Sequence, residues 1–301
     1  MMLKEQLKQL LSSPSNFFSY RKDQLESRLL SDKTYIRKRF KKKMGYELPL
    51  ECPVTFNEKL QWLKLYDRRP ILSKMADKYL AREYVKKKVG DNILIPLIDV
   101  YDHPDEINWD VLPNQFALKA THGSGWNVIC LDKKDLDLNK VNYLLGRYYN
   151  TNYFYMSREW AYKNIKPRFI VEKLLLDENL KPPSDWKFFV FNGQVEYLQH
   201  DRFKFTNHTR NFYDKDLEKI DLKMSYPNYD YVLQKPGTYE NMKEIAEKLS
   251  DNLPFARVDL YTQNDRIYFG EITLYDGAGY NNFQPVSWDR TFGKLIKLRI
   301  K

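Results

Sequence analysis

Apolar residues recur at helical spacing through the first third of the chain. A stripe of leucines ends before Pro14, and residues 1–50 together predict two helices. Two further helices are predicted over residues 56–66 and 73–89, with Gly90 as the glycine that ends the second one. The amino-terminal part of the protein is therefore predicted to be helical.

The pattern changes after residue 92 to short apolar runs separated by turn residues. Alternating runs of this length predict β-strands, and helical spacing returns only near residues 139–149 and 239–251. Strands joined as hairpins, with few helices between them, predict an α+β fold with mostly antiparallel sheets. The predicted strands are residues 93–100, 116–120, 127–131, 168–174, 187–191, 195–199, 255–261 and 266–274.

Composition places the chain among ordinary globular proteins. Hydrophobic residues make up 43% and charged residues 30%, and no run approaches the roughly 20 apolar residues that span a bilayer. Cys52 and Cys130 stand far apart, which excludes a disulfide framework and favours a reducing compartment. We therefore expect a cytoplasmic protein that is soluble or peripheral to the membrane.

The net charge of +10 is concentrated near the amino terminus. Residues 1–50 carry twelve lysines and arginines against five acidic residues, and the densest run is 37–43. Such a run suits an anionic membrane, a polyanionic glycan or nucleic acid, and it equally suits a solvated helix face. We expect no nucleic-acid partner, while contact of this region with the inner membrane face stays open.

The last predicted hairpin brings two carboxylates side by side. A three-residue turn at 264–266 aligns the apolar faces of both strands and sets Asp259 opposite Glu271, with Arg257 beside them. Facing like charges destabilise a sheet unless something compensates them, and a divalent cation bound through oxygen is a common solution. The alternative is an exposed face that Arg257 alone neutralises. The pattern favours a Mg²⁺ site.

A strand that carries Lys119 opens into the turn Gly123-Ser124-Gly125. Glycines let backbone N–H groups approach phosphate oxygens, and the lysine supplies a counter-charge. The segment is not a Walker motif, because GxxxxGK[ST] occurs nowhere in the sequence. Taken alone, the segment is better explained as a plain hairpin turn.

Three further basic residues are candidates for ligand contacts. Lys187 follows Asp185 at the start of a strand and either faces a ligand or pairs with that aspartate. Arg202 and Arg210 follow the next strand and suit the carboxylate of an acceptor substrate. Exposure to solvent is the alternative for each of them.

Several phrases of the sequence are long and specific. They are TFNEKLQWLKLYDRRP (55–70), DKYLAREYV (77–85), LPNQFALKATHGSG (112–125), DWKFFVFNGQ (185–194), RVDLY and FGEITLYDGAG. These phrases resemble the ATP-grasp superfamily, and from about Ser31 to Lys297 the chain resembles its TupA-like branch, which is linked to bacterial surface-polysaccharide synthesis. The resemblance implies the ATP-grasp fold, in which two α+β lobes clamp ATP.

The resemblance also implies a division of the chain. Residues 1–75 would form a short helical N-terminal region, and residues 76–301 the ATP-grasp domain. Within that domain the smaller ATP lobe would cover about 76–170 and the larger, metal-binding lobe about 171–301.

Residue roles follow by position from the same resemblance. The residues that it implies for ATP are Lys78, Lys119, Gly123, Ser124, Gly125, Glu172 and Lys173. It implies Lys187 and Arg257 for catalysis at the transferred phosphate, and Asp259, Glu271 and Thr273 for Mg²⁺. The third metal position is usually Asn in the superfamily, and a threonine hydroxyl is a weaker ligand.

The implied activity is an ATP-dependent, ADP-forming carboxylate–amine ligase that works through an acyl phosphate, with ATP and Mg²⁺ as cofactors. Its expected partners are a uronic-acid-containing saccharide or sugar nucleotide and a small amine or amino acid. The alternative is a glycosyltransferase of polysaccharide biosynthesis, for which Asp214-Lys215-Asp216 offers a D-x-D motif. A non-catalytic polyanion-binding protein would not need the Asp259–Glu271 pair.

Overall fold

A computed structural model describes residues 28–176, 182–202 and 207–298. The first predicted helix and its leucines lie outside these ranges. Within them, no helix is both long enough and apolar enough to cross a membrane. The helices are α1 Asp32–Met44, α2 Phe56–Tyr66, α3 Ile71–Ala76, α4 Leu80–Val89, α5 Leu138–Tyr149, α6 Phe154–Ser157, α7 Tyr239–Leu249 and α8 Ser287–Leu295, with short 3-10 helices at Pro104–Glu106, Lys133–Asp135, Trp160–Tyr162 and Asp276–Gly279.

The strands form three antiparallel sheets. They are β1 Leu97–Tyr101, β2 Phe116–Ala120, β3 Asn127–Cys130, β4 Phe169–Lys173, β5 Asp185–Phe191, β6 Gln194–Arg202, β7 Thr209–Asp214, β8 Lys219–Ile220, β9 Lys223–Met224, β10 Phe255–Gln263, β11 Arg266–Thr273 and β12 Phe283–Gln284. A four-stranded sheet has the order β1-β4-β2-β3, a six-stranded sheet the order β11-β10-β5-β6-β7-β8, and β12 pairs with β9. The predicted α+β fold with antiparallel sheets is confirmed.

The single helix predicted over residues 73–89 is wrong, because the chain forms two helices there. Asp77 interrupts the pattern between α3 and α4. Its Oδ1 accepts hydrogen bonds from the backbone N–H groups of Tyr79, at 2.9 Å, and Leu80, at 3.2 Å. An aspartate that satisfies the first N–H groups of a new helix favours a helix start over a continuing helix. The predicted end of the second helix at Gly90 is confirmed.

The predicted pairing of Asp259 with Glu271 is confirmed, although the turn is shorter than predicted. Asn264 and Asp265 form a two-residue turn with φ of 51° and 57°, which by itself would set Asp259 opposite Gly270. A β-bulge after Asp259 restores the predicted register. Gly270 lies at this bulge, where an added Cβ would stand 2.9 Å from the Asp259 carbonyl oxygen.

One face of the six-stranded sheet is divided between hydrophobic core and polar site. On its apolar part, Phe56 of α2 packs edge-on against Phe255 with ring centroids 4.8 Å apart, and Phe292 of α8 packs on Phe189 at 5.7 Å. The opposite face is covered by α7 through Tyr239. Burial of these rings fixes the sheet between helices and leaves only one end of the first face for polar side chains.

Helix α2 begins with a reciprocal cap that its sequence TFNE encodes. The Thr55 hydroxyl accepts from the Glu58 N–H at 3.3 Å, and the Glu58 carboxylate accepts from the Thr55 N–H at 3.0 Å. Helix α8 lies against this start, where Asp289 accepts from the backbone N–H of Asn57 at 2.9 Å. Gly293 of α8 permits the contact, because an added Cβ would stand 2.7 Å from the Phe56 nitrogen.

We expect Gly293→Ala to destabilise the protein by about 1–3 kcal/mol, because the backbone of α2 cannot move aside for the new methyl group. The matched control is Gly146→Ala in α5, where an added Cβ meets nothing within 4 Å. That change should stabilise by about 0.5–1 kcal/mol, since alanine favours a helix interior. Urea unfolding of both variants measures the difference, and equal stabilities would contradict the close packing of α8 on α2.

Candidate active site

The guanidinium of Arg257 lies among the oxygens of the three residues predicted to bind Mg²⁺. Its Nη2 is 2.9 Å from Asp259 Oδ2, 3.0 Å from Thr273 Oγ1 and 3.5 Å from Glu271 Oε1. The Thr273 hydroxyl is itself 3.4 Å from Glu271 Oε1. Strands β10 and β11 thus direct three oxygen atoms toward a single positively charged nitrogen. We call the β10–β11 hairpin the metal hairpin, after the Mg²⁺ site predicted there.

Asp259 is a buried carboxylate held by two cations. Its Oδ1 is 2.6 Å from Arg257 Nε, and its Oδ2 accepts from the Lys187 ammonium. Burial by itself would raise the pKa of Asp259, but the charges of Arg257 and Lys187 reverse this effect and hold the pKa below its usual value. Lys187 is also 3.5 Å from Asp185, so both predicted interpretations of Lys187, ligand contact and pairing with that aspartate, are compatible with its position.

These residues fit a hard divalent cation. All three donors are oxygens, and they already surround one cationic nitrogen. Across the described ranges, no three His, Cys, Asp or Glu side chains are arranged to hold a metal. Asp259, Glu271 and Thr273 would supply two carboxylates and a hydroxyl, leaving the remaining positions to phosphate oxygens and water, as is usual for Mg²⁺.

Asp276 belongs to this site and was not predicted from the sequence. Its Oδ1 accepts from Arg257 Nη1, and its Oδ2 accepts from Asn281 Nδ2 at 2.7 Å. The backbone N–H of Asn281 in turn donates to Asn57 Oδ1 of α2 at 2.8 Å. The signal in the sequence is an aspartate that precedes a glycine-rich turn directly after the strand of Glu271.

Helix α2 holds the turn that carries Asp276. Gln61 Nε2 donates to the Gly279 carbonyl at 2.6 Å, and Lys64 Nζ donates to the Ala278 carbonyl at 2.6 Å. An added Cβ on Gly279 would stand 3.0 Å from the Leu60 Cβ, so the close approach needs glycine. Burial lowers the pKa of Lys64 to about 7. Through the hydrogen bonds of Gln61 and Lys64, helix α2 helps to shape the candidate site.

Lys78, one of the two predicted phosphate lysines, contacts the glycine loop. The Lys78 ammonium donates to the Gly123 carbonyl at 2.5 Å, and its backbone N–H donates to the Thr121 carbonyl at 3.2 Å. Burial lowers the pKa of the Lys78 ammonium. The negative charge of Glu271 opposes this shift, and the positive charge of Lys119 adds to it. The charges of the other predicted phosphate lysine and of one predicted metal ligand thus both act on Lys78.

The predicted glycine loop is anchored by Trp126. An added Cβ on Gly123 would clash with the Trp126 ring, and Gly125 has a φ of +72° that glycine adopts without strain. The Trp126 ring stacks on Tyr148 with centroids 5.0 Å apart. Ser124, between the two glycines, is exposed. The loop thus has a fixed base and an exposed tip.

Glu172 on β4 contacts two cations, Lys119 of the neighbouring strand β2 and Arg82 of α4. Its Oε2 is 2.7 Å from Lys119 Nζ, and its Oε1 is 2.7 Å from Arg82 Nη1. The neighbouring Lys173 is exposed and borders an open cavity of about 320 Å³ that Gln263 also lines. Arg82 was missed from the sequence; its position four residues after Lys78 was the available signal.

The structure does not bring Arg202 and Arg210 together. Arg210 lies on the face of the sheet that carries Lys187, where its Nε and Nη2 are 2.6 Å and 3.0 Å from the two carboxylate oxygens of Asp201. Arg202 lies on the opposite face, with its guanidinium 4.3 Å from the ring centroid of Tyr231. Only Arg210 therefore shares a sheet face with the metal hairpin.

Several solved ligase structures are distantly similar to the chain. D-alanine–D-alanine ligase from Bacillus anthracis is 14% identical with a TM-score of 0.41, over 68% of this chain and 59% of the ligase. The same enzyme from Helicobacter pylori is 13% identical with a TM-score of 0.42, over 80% and 69%. The ATP-grasp ligase PsnB, complexed with a minimal precursor, is 13% identical with a TM-score of 0.39, over 72% and 60%. The chain thus spans less than two thirds of the first ligase's length.

No curated protein sequence matches the chain. The sequence profile of the family described as TupA-like ATP-grasp matches residues 58–297. This range covers most of the chain and includes every residue predicted to bind ATP or Mg²⁺. The protein therefore belongs to the TupA-like ATP-grasp family.

Proposed function

We propose that the protein is an ATP-dependent, ADP-forming carboxylate–amine ligase. The observation that carries the proposal is that three oxygen atoms, all from predicted Mg²⁺ ligands, converge on the Arg257 guanidinium. One of them belongs to the buried carboxylate of Asp259, which Lys187 also contacts. Lys78 contacts the glycine loop and Lys119 lies on the four-stranded sheet, and both are candidates to contact the phosphates. Membership of the ATP-grasp family supports the same activity.

The chemistry proceeds in two balanced steps. A carboxylate oxygen of the acceptor attacks the γ-phosphorus of ATP, the bond to the β,γ-bridging oxygen breaks, and ADP leaves. The amine nitrogen then attacks the carbonyl carbon of the acyl phosphate, the carbon–oxygen bond to phosphate breaks, and the amine loses one proton. Activation is required because a carboxylate itself resists attack by an amine.

The chain supplies most of the charge that this reaction needs. Asp259, Glu271 and Thr273 would hold Mg²⁺, which neutralises phosphate charge when bound. Lys187 and Arg257 lie where they can neutralise the transferring phosphoryl group. The glycine loop between β2 and β3 is suited to cover the acyl phosphate, because that intermediate must be shielded from water.

A hexuronic acid of a surface polysaccharide, or of its precursor, is our proposed acceptor, with an amino acid or small amino alcohol as the amine. Arg210 supports it as a cation on the same sheet face as the metal hairpin, and 23 tyrosines suit stacking on sugar rings. The exposed lysines of α1, Lys41 to Lys43, suit a polyanionic chain or the inner membrane face.

The glycosyltransferase alternative receives less support from its D-x-D segment. The Asp214 carboxylate accepts hydrogen bonds from the backbone N–H groups of Asp216, at 3.0 Å, and Glu218, at 2.9 Å. It therefore caps its own turn, and Asp216 pairs with its neighbour Lys215 on the surface. A glycosyltransferase would also consume a sugar nucleotide without ATP.

Incubation with ATP, Mg²⁺, a uronate-bearing saccharide and an amino acid should release ADP and phosphate together with an amide. An acyl phosphate requires cleavage between the β- and γ-phosphates, so AMP and pyrophosphate as the main products would exclude the mechanism. The matched control is the same saccharide with a neutral hexose in place of the uronate. ADP release only with free amino-acid or peptide carboxylates would overturn the uronate and leave the ligase.

Asp259→Asn and Glu271→Gln are each expected to lower the rate of ADP release by about 100-fold or more, because each removes from the site a negative charge that would hold Mg²⁺. The control is Glu218→Gln, an exposed carboxylate in the turn between β7 and β8 of the same sheet. Melting temperatures show whether each variant folds. Near-normal rates in both metal-hairpin variants, measured across a Mg²⁺ titration, would rule out this metal site.

Asp276→Asn should lower kcat by about 10–100-fold while leaving the KM for ATP nearly unchanged, because the neutral side chain no longer holds the Arg257 guanidinium by charge. Asp289→Asn is the matched control, since Asp289 is also buried and contacts Asn57 without contacting Arg257. We expect that variant to lose stability but to keep its kcat. Equal losses of kcat in both variants would mean that Asp276 acts only through folding.

A further inference from the structure

Glu172 is a nearly buried carboxylate that two cations share. Its side chain is 8% exposed, and each of its oxygens contacts a different residue. Arg82 Nη1 lies 2.7 Å from Oε1, and Lys119 Nζ lies 2.7 Å from Oε2. Lys119, the residue proposed to contact the phosphates of ATP, thus also contacts a carboxylate.

Release of Lys119 toward a phosphate would leave Glu172 with a missing partner. A buried carboxylate without a partner is strongly unfavourable, so the lysine could not leave cheaply if it were the only cation present. Arg82 removes this obstacle, because it contacts the other oxygen and is fixed independently. Its Nη2 donates to the Ile95 carbonyl at 2.9 Å, and its side chain is 14% exposed.

We propose that Arg82 is a positioning residue for nucleotide binding, which holds Glu172 and balances its charge so that Lys119 can turn to the phosphates of ATP. The proposal rests on the proposed function in one respect, that Lys119 contacts the phosphates. It goes beyond that function because the hydrogen bonds of Arg82 go to Glu172 and to the Ile95 carbonyl, and not to a residue proposed to hold Mg²⁺. Arg82 acts through Glu172 and Lys119 only.

The position of Arg82 in the chain supports this role. It lies in the first turn of α4, four residues after Lys78, and the helix start is fixed by the Asp77 carboxylate. The segment that presents one phosphate lysine therefore also presents the residue that releases the other. A shift of this segment would change both lysines together.

The test compares nucleotide binding in Arg82→Gln with that of the unaltered protein, by calorimetric titration with ATP and Mg²⁺ and by steady-state kinetics. We expect the Kd and KM for ATP to rise about tenfold, as for the loss of one charge-assisted hydrogen bond. The kcat at saturating ATP should change less than about twofold, because Arg82 does not touch the reacting groups. Arg82→Lys should recover part of the affinity, and it serves as the test variant if Arg82→Gln does not fold.

The matched control is Lys86→Gln, four residues further along α4. Lys86 is exposed and pairs with the equally exposed Asp91 at 3.1 Å, so its removal changes the helix charge equally without touching Glu172. We expect its Kd for ATP to stay within about twofold of the unaltered protein. A tenfold loss in this control would assign the effect to general charge and overturn the proposal.

A double-mutant cycle separates positioning from a purely structural role. In Glu172→Gln the carboxylate that holds Lys119 is gone, so adding Arg82→Gln should change the Kd for ATP by less than about twofold. The same tenfold loss in both backgrounds would overturn the proposal, as would an unchanged Kd in Arg82→Gln alone. Failure of the unaltered protein to bind ATP would instead overturn the proposed function, and the Arg82 proposal with it.

Discussion

The burial of one ionised carboxylate, Asp259, is the constraint on which the rest of the site depends. An ionised carboxylate in a protein interior needs charged partners, and Arg257 and Lys187 supply two of them. Arg257 brings a second requirement, because its own buried guanidinium also needs Asp276. The turn that carries Asp276 must therefore approach the sheet closely. Helix α2 meets that requirement by donating hydrogen bonds from Gln61 and other side chains to the turn.

The sequence was sufficient to predict the pairing of Asp259 with Glu271, because the information for this pairing is local. Alternation of apolar and polar residues along two adjacent strands allows only one register that buries both apolar faces, and this register pairs Asp259 with Glu271. The turn was predicted one residue too long, and the bulge at Gly270 compensates for the difference. The predicted pairing is correct despite the wrong turn length, because burial of the apolar faces, rather than the turn, sets the register.

Residues that act across long sequence separations could not be predicted in the same way. Asp276 becomes part of the site only through its contact with Arg257, and Arg82 only through Glu172, ninety positions further along the chain. Neither contact follows from periodicity. The opposite faces of Arg202 and Arg210 follow from strand alternation once β6 and β7 are extended to their observed ends, but the predicted strand stopped at residue 199. Local caps such as Asp77 are likewise weaker signals than helical spacing.

The two halves of the candidate site share one electrostatic arrangement. In each, a buried carboxylate contacts two cations: Asp259 contacts Arg257 and Lys187, while Glu172 contacts Arg82 and Lys119. A ligand can then draw away one cation without leaving a buried charge unpaired. In the proposed function, the phosphates of ATP would draw Lys119 from Glu172, while Arg82 keeps its contact with that carboxylate. A carboxylate that contacts two cations therefore keeps one charged partner when the other turns to a ligand, and this lowers the energetic cost of that movement.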